Sequence, residues 1–158
     1  MISGPSGAGK GTLVTRVRER RSNLGLTVSA TTRAPRKGEV DGVNYFFLTR
    51  EEFDRRVANG EFVEWAEVHG NCYGTLVSEV TSKLASGSSL ILEIDVQGAL
   101  QVKERFPEAV LIFIKPPSLE VLRDRLVGRG TETPETIELR MANAADELAL
   151  PTATTTSW

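Results

Sequence analysis

The sequence predicts an α/β layered fold around a parallel sheet, and three observations carry that prediction. Strand-like and helix-like segments alternate along most of the chain. Two runs, Ser88 to Asp95 and Ala109 to Ile114, are continuously apolar over most of their length, as strands buried on both faces are. Residues 4–12 read Gly-Pro-Ser-Gly-Ala-Gly-Lys-Gly-Thr, a glycine-rich loop leading into a helix. Such a loop turns successive backbone N–H groups inward on phosphate oxygens, its lysine reaches the outer phosphates, and the helix adds the positive end of its dipole.

The elements follow in order. Lys10 to Arg21 reads as a helix with Leu13, Val14 and Val17 on one stripe, and Leu24 to Ser29 as a short strand. Asn44–Leu48 and Glu61–Val68 carry strand signals. Between them lies a helix opened by the capping box Thr49 and Glu52. A further helix runs from about Val96 to Phe106. After Pro116 and Pro117, Ser118 caps a helix to Val127. Gly128 to Thr133 interrupts it, and Thr133 caps a last helix with Pro134 at its first position. Residues 151–158 carry neither charge nor amphipathic pattern and read as a disordered tail.

At 158 residues the chain is expected to be a single domain, with 81–118 and 1–29 as core and residues 30–80 as an inserted lobe. Residues 119–140 read as a lid region, and 141–150 as a core helix. A net charge of −2 gives no global basic field, which argues against a nucleic-acid polymer as partner. A lone cysteine, Cys72, fits a reducing compartment, and no apolar run reaches membrane-spanning length. The expectation is a cytoplasmic protein with no membrane association and no obligate protein partner.

Within the phosphate loop the candidate phosphate ligands are Gly4, Ser6, Gly7, Ala8, Gly9, Lys10, Gly11 and Thr12. The general pattern places Ser or Thr directly after the lysine, where its hydroxyl meets Mg²⁺. Here Gly11 stands in that place and Thr12 follows, so the metal is expected to rely more on water and phosphate oxygens. A second cluster spans Ser29 to Tyr45. Arg33 and Arg36, three apart around a stiffening proline, form a fork suited to one doubly charged phosphate, with Ser29 and Tyr45 as hydroxyl donors. Alone, this stretch would be an ordinary solvated loop; beside a phosphate loop, the fork is the better reading. His69 lacks any partner pattern, Cys72 has no metal-ligand company, and Glu93 reads as structural.

The chain resembles the guanylate kinases. The resemblance rests on the phosphate loop, then SATTRAPRKGEVDGVNYFF, GEFVEWAEVHGNCYGT, LEIDVQGA, FIKPPS and RLVGRGTET, in that order and covering nearly all of residues 2–150. It implies a three-layer P-loop NTPase core with a GMP-binding lobe and a helical lid. It further implies ATP and GMP as substrates, with Mg²⁺ accompanying ATP. Arg33, Arg36, Tyr45 and Tyr73 match positions that hold the GMP phosphate, and Ser29 sits beside the base. Glu64 matches the carboxylate that accepts from guanine N1–H and the 2-amino group, an arrangement of donors adenine lacks. Thr75 and Asp95 match further substrate contacts, and Asp95 is placed to orient Mg²⁺-bound water. Arg125 and Arg129 match lid arginines, and Arg140 one that closes over the transferring phosphate. Without the resemblance Arg140 would read as surface charge, and Arg125 and Arg129 stand at helix or helix-end positions where arginines are often only that.

Family members extend beyond this sequence at both ends, so the last core strand and helix are expected to be missing and the first strand shortened. Read one base earlier, the codons of 151–158 permit Ala-Asp-Arg-Tyr-Asp-Tyr-Val-Val, which resembles the family's continuation. A one-base frameshift near codon 150 is the corresponding expectation, with low stability and little activity for the chain as written. Besides such a truncated, inactive product, the sequence is compatible with a non-catalytic guanylate-kinase-like binding module and with another small P-loop kinase.

Overall fold

A computed structural model describes residues 1–68, 70–128 and 133–149. His69, Arg129 and the tail 151–158 lie outside the described residues, as do the expectations attached to them. The elements are β1 (Ile2–Ser3), α1 (Lys10–Arg20), β2 (Leu24–Leu26), β3 (Ala30–Thr31), β4 (Phe46–Phe47), α2 (Arg50–Ala58), β5 (Phe62–Val68) and β6 (Asn71–Leu76). They continue with α3 (Val77–Ala85), β7 (Ser89–Ile91), α4 (Val96–Arg105), β8 (Ile112–Phe113), α5 (Leu119–Val127) and α6 (Pro134–Ala149).

The core strands are parallel. β2 pairs with β7 in the register Leu24↔Ser89 to Leu26↔Ile91, and β1 pairs with β8 as Ile2↔Ile112 and Ser3↔Phe113. The two pairs are joined where Ile2 bridges Glu93: Ile2 N donates to Leu92 O at 2.8 Å and Ile94 N donates to Ile2 O at 3.2 Å. The segment carrying the phosphate loop therefore runs between two neighbours. On one side of the sheet Val14 and Val17 of α1 pack against Ile2, Ile91 and Ile112. On the other, Ala99 and Val102 of α4 pack against Ile94, Leu111 and Val63. Helix, sheet and helix give the three layers the apolar runs imply.

Residues 30–76 build a second sheet in the order β4–β3–β6–β5, with β5 and β6 antiparallel. Phe53 of α2, fully buried, stacks on Phe62 with ring centroids 4.5 Å apart and seals the lobe's own core with Ala30, Cys72 and Leu76. α5 and α6 pack through Leu122, Leu126, Ile137 and Ala144.

The capping residues act as their chemistry requires. Glu52 N donates to Thr49 Oγ1 at 3.1 Å, Val121 N to Ser118 Oγ at 3.2 Å, and Thr136 N to Thr133 Oγ1 at 3.3 Å. The box at Thr49 is one-sided, because the Glu52 carboxylate turns to Arg55 and Arg56 instead. The apolar run at Ser88 yields a ladder strand of only Ser89–Ile91, since Leu92 onward carries single bridges as it bends toward the cleft. β3, β6 and α3 carry no clear signal in the sequence. β6 contains Gly74 and polar Asn71 and Thr75, which hide its strand character.

Candidate active site

The loop geometry depends on three glycines with positive φ. Gly4 (φ 135°) has no room for a side chain, since a Cβ there would lie 2.2 Å from the Ile114 carbonyl oxygen of the strand beside it. Gly9 (φ 101°) is the N-cap of α1 and aims the first helical amides at the loop interior. Lys10 Nζ donates to the Gly4 and Pro5 carbonyls, so its ammonium is held inside the loop.

A cleft opens from this loop. One wall is Gly4, Ser6, Gly7 and Gly9 to Thr12; the opposite wall, from the second sheet and its loops, is Ser29, Arg33, Arg36, Tyr45, Glu64 and Tyr73. Glu93, Asp95, Arg140 and Glu147 complete it. The fold thus brings these residues to one cleft from segments more than a hundred residues apart. Three expected residues sit differently. Ala8 and Arg125 border a second concavity that shares Gly7, Gly9 and Thr12 with the cleft, and there Arg125 donates to the Ala8 carbonyl at 3.1 Å and the Gly7 carbonyl at 3.4 Å. Thr75 is fully buried behind Glu64, its opposite in the β5–β6 ladder.

The arginine fork is pre-shaped by Glu39, a residue that nothing in the sequence pattern singles out. Both Glu39 carboxylate oxygens accept from Arg33 Nη2 at 3.0 Å, and Oε2 also accepts from Arg36 N at 2.7 Å. The Arg36 amide holds the Glu39 carboxyl below the usual range; burial opposes this and the Arg33 guanidinium reinforces it. Tyr45 lies 5.4 Å below the Arg33 guanidinium and edge-on to Tyr73 at 6.2 Å. Arg140, on α6, donates through Nη1 to Ser6 Oγ at 2.8 Å and so ties the lid side to the phosphate loop. Further along the same helix, Glu147 enters the cleft. Burial raises its pKa, with Lys10 opposing and Asp95 adding.

Glu64 is the most unusual group. It is only 2% exposed, and burial pushes its carboxyl up to about 7; the Thr75 hydroxyl and amide hold it down in part, and Asp95 adds to the rise. The Thr75 hydroxyl lies near Glu64 yet is buried without a hydrogen bond of proper geometry. An acid in such a place, facing an open cleft, is suited to accept from a planar ligand carrying adjacent N–H donors.

The acidic residues near the loop fit Mg²⁺ better than a metal caged by protein. Among the described residues no cluster of three His, Cys, Asp or Glu is placed to hold an ion. Asp95 gives one oxygen to Gly98 N at 2.9 Å as the N-cap of α4. Glu93 lies beside the start of α1, its pKa raised by burial against the pull of Lys10. Mg²⁺ accepts one or two protein groups plus phosphate and water, which is what this donor set can supply.

A guanylate kinase family model matches residues 1–152. The chain belongs to the guanylate kinase family. It is 56% identical over 150 residues to the guanylate kinase of Halalkalibacterium halodurans, covering 95% of this chain and 74% of that one. The Gloeobacter violaceus guanylate kinase is 57% identical, with 95% and 73% covered, and that of Synechococcus sp. 51% identical, with 96% and 80% covered. The crystal structure of guanylate kinase from Anaplasma phagocytophilum aligns with a TM-score of 0.79 at 38% identity, over all of this chain and 74% of that one. The loop, the arginine fork and Glu64 line one space. No helix among the described residues is long and apolar enough to cross a membrane.

Proposed function

We propose that this chain phosphorylates GMP from ATP, giving GDP and ADP, and works in the cytoplasm. The observation that carries the reading is the convergence of a nucleotide phosphate loop and a buried, guanine-suited carboxylate on one cleft. Residues 30–80 are the GMP lobe, 119–140 the lid region, and the remainder of the folded chain the core.

In this reading the loop amides and Lys10 bind the ATP phosphates, and Lys10 exchanges its carbonyl contacts for phosphate oxygens. Arg33, Arg36, Tyr45 and Tyr73 bind the GMP phosphate, Ser29 and Glu64 bind the base, and Thr75 backs Glu64 from behind. A GMP phosphate oxygen attacks the γ-phosphorus; the bond from that phosphorus to the β,γ-bridging oxygen breaks, and the electron pair leaves with ADP. The attacking oxygen is already anionic, so no protein base is required. What the chain supplies is in-line positioning and neutralisation of charge by Lys10, Arg125, Arg129 and Arg140. Asp95 would hold Mg²⁺ through water, with phosphate oxygens and further water completing its shell. When bound with ATP, that ion neutralises phosphate charge. The two walls exclude water from the transferring group.

A coupled assay with ATP and a panel of GMP, dGMP, AMP, UMP and CMP tests the proposal. GDP formation with strong preference for the guanine nucleotides is the expected outcome. Equal turnover of AMP would remove Glu64 as base reader, and guanine-nucleotide binding without any turnover would favour a non-catalytic binding module.

A further inference from the structure

We infer that Gly98 is a specificity-determining positioning residue: its missing side chain leaves the slot that holds the Glu64 carboxylate in the guanine-reading position. This rests on the reading of Glu64 given above.

Gly98 is the third residue of α4, and its backbone is ordinary right-handed helix, not one of the positive-φ glycines. Nothing in the local conformation calls for glycine, and alanine is favoured over it in a helix. The reason lies across the interface. A Cβ on Gly98 would stand 2.3 Å from Glu64 Oε2, 3.0 Å from Cδ and 3.5 Å from Cγ. Every one of these atoms belongs to the side chain that reads the base.

Displacement by such a clash is cheap when the neighbour is a free surface chain. Here the neighbour is buried and the surrounding elements are fixed in register. β5 is the outer strand of its sheet, and α4 covers its open edge with side-chain hydrogen bonds. Gln101 Nε2 donates to the Trp65 carbonyl at 2.6 Å, and Gln101 Oε1 accepts from Trp65 N at 3.2 Å. Arg105 Nη1 donates to the Val63 carbonyl at 2.9 Å and the Phe62 carbonyl at 3.3 Å. Residues 98, 101 and 105 share one helix face, so the helix grips the backbone on both sides of Glu64. With the backbones clamped, an added methyl must move the carboxylate itself.

GMP titration calorimetry and steady-state kinetics with GMP and AMP on wild type, Gly98→Ala, Glu64→Asp, Glu64→Gln and the Gly98→Ala/Glu64→Asp double variant test this. Gly98→Ala is expected to weaken GMP binding roughly tenfold or more while the KM for ATP stays within about twofold. Glu64→Asp withdraws the carboxylate by one methylene, so in that background Gly98→Ala is expected to cost less than about twofold. An equal cost in both backgrounds, or unchanged GMP binding by Gly98→Ala beside an impaired Glu64→Gln, overturns the inference. Unchanged GMP affinity and preference in Glu64→Gln instead refutes the underlying reading of Glu64, and the inference with it. Should Gly98→Ala fail to fold, the double variant decides: a folded double variant supports a clash with Glu64, and an unfolded one overturns it.

Discussion

Acidification should weaken GMP binding through Glu64, and the size of the effect follows from its burial. Its carboxyl is raised from 4.5 to about 7 in the empty cleft. Guanine offers N–H donors, which only the ionised acid accepts at both oxygens, so binding selects the deprotonated form. Near pH 7 about half of the molecules carry the proton, and GMP binding should release about half a proton from this group. Near pH 6 only about one molecule in ten is ionised, which costs about tenfold in apparent affinity relative to alkaline conditions. The sign for the empty protein is the reverse. A carboxyl with a raised folded-state pKa contributes stability that is present below about pH 4.5 and is lost as pH rises through about 7. At about 1.4 kcal/mol per pKa unit that loss is about 3 kcal/mol, which bound GMP should restore in part. Titration calorimetry in two buffers of different ionisation enthalpy reads the proton directly. The GMP phosphate itself titrates near about pH 6, so Glu64→Gln provides the correction for its share. Equal proton release by wild type and Glu64→Gln near pH 7 would refute the assignment of Glu64 as a buried acid that ionises on binding.

Other outcomes are tied to single contacts. Lys10→Met should abolish GDP formation in the coupled assay while calorimetric GMP affinity stays within about twofold, because Lys10 lies on the ATP wall. Arg33→Lys removes a planar fork that already contacts both Glu39 oxygens, and should raise the KM for GMP about tenfold or more with the KM for ATP little changed. Thr49→Ala removes the cap of α2 and should cost about 1 kcal/mol in urea unfolding without altering the GMP to AMP preference. Leu122→Ala empties a fully buried site between α5 and α6 and should cost about 2–5 kcal/mol in the same measurement.

What the sequence discloses follows the range of the forces involved. The phosphate loop is legible because its signal is local: the glycines, Lys10 and Thr12 all stand within residues 4–12. The caps Thr49, Ser118 and Thr133 are legible for the same reason, since each meets an amide three residues away. β6 is not, because Gly74 is there for its partners: a Cβ would stand 2.8 Å from the Glu64 carbonyl oxygen and 2.9 Å from Trp65 Cβ. Glu39 is one acid in a charged loop until the fold turns it onto Arg33. Gly98 and Gln101 gain meaning only once α4 lies along β5, and no periodicity announces that contact. Glu147 has one signal of its own, a seven-residue spacing after Arg140 that puts both on one helix face.

Three cations of the cleft, and Arg125 beside it, are already engaged by the protein. Lys10 donates to two loop carbonyls, Arg33 grips Glu39, Arg140 donates to Ser6, and Arg125 donates to the Gly7 and Ala8 carbonyls. Each contact fixes a long side chain near the place where phosphate charge must be met, which lowers the ordering cost of binding. A contact to a neutral carbonyl or hydroxyl oxygen is replaceable on favourable terms, because an anionic oxygen in its place strengthens the hydrogen bond. Arg33 differs, since its present partner is itself a carboxylate. A phosphate arriving there gains less by displacement than by sharing the guanidinium, whose five donors outnumber the contacts Glu39 takes. In the proposed reading, Glu39 keeps Arg33 aimed while leaving donors for the GMP phosphate. In the same reading, selectivity for the base falls to Glu64, which is buried and lies against α4.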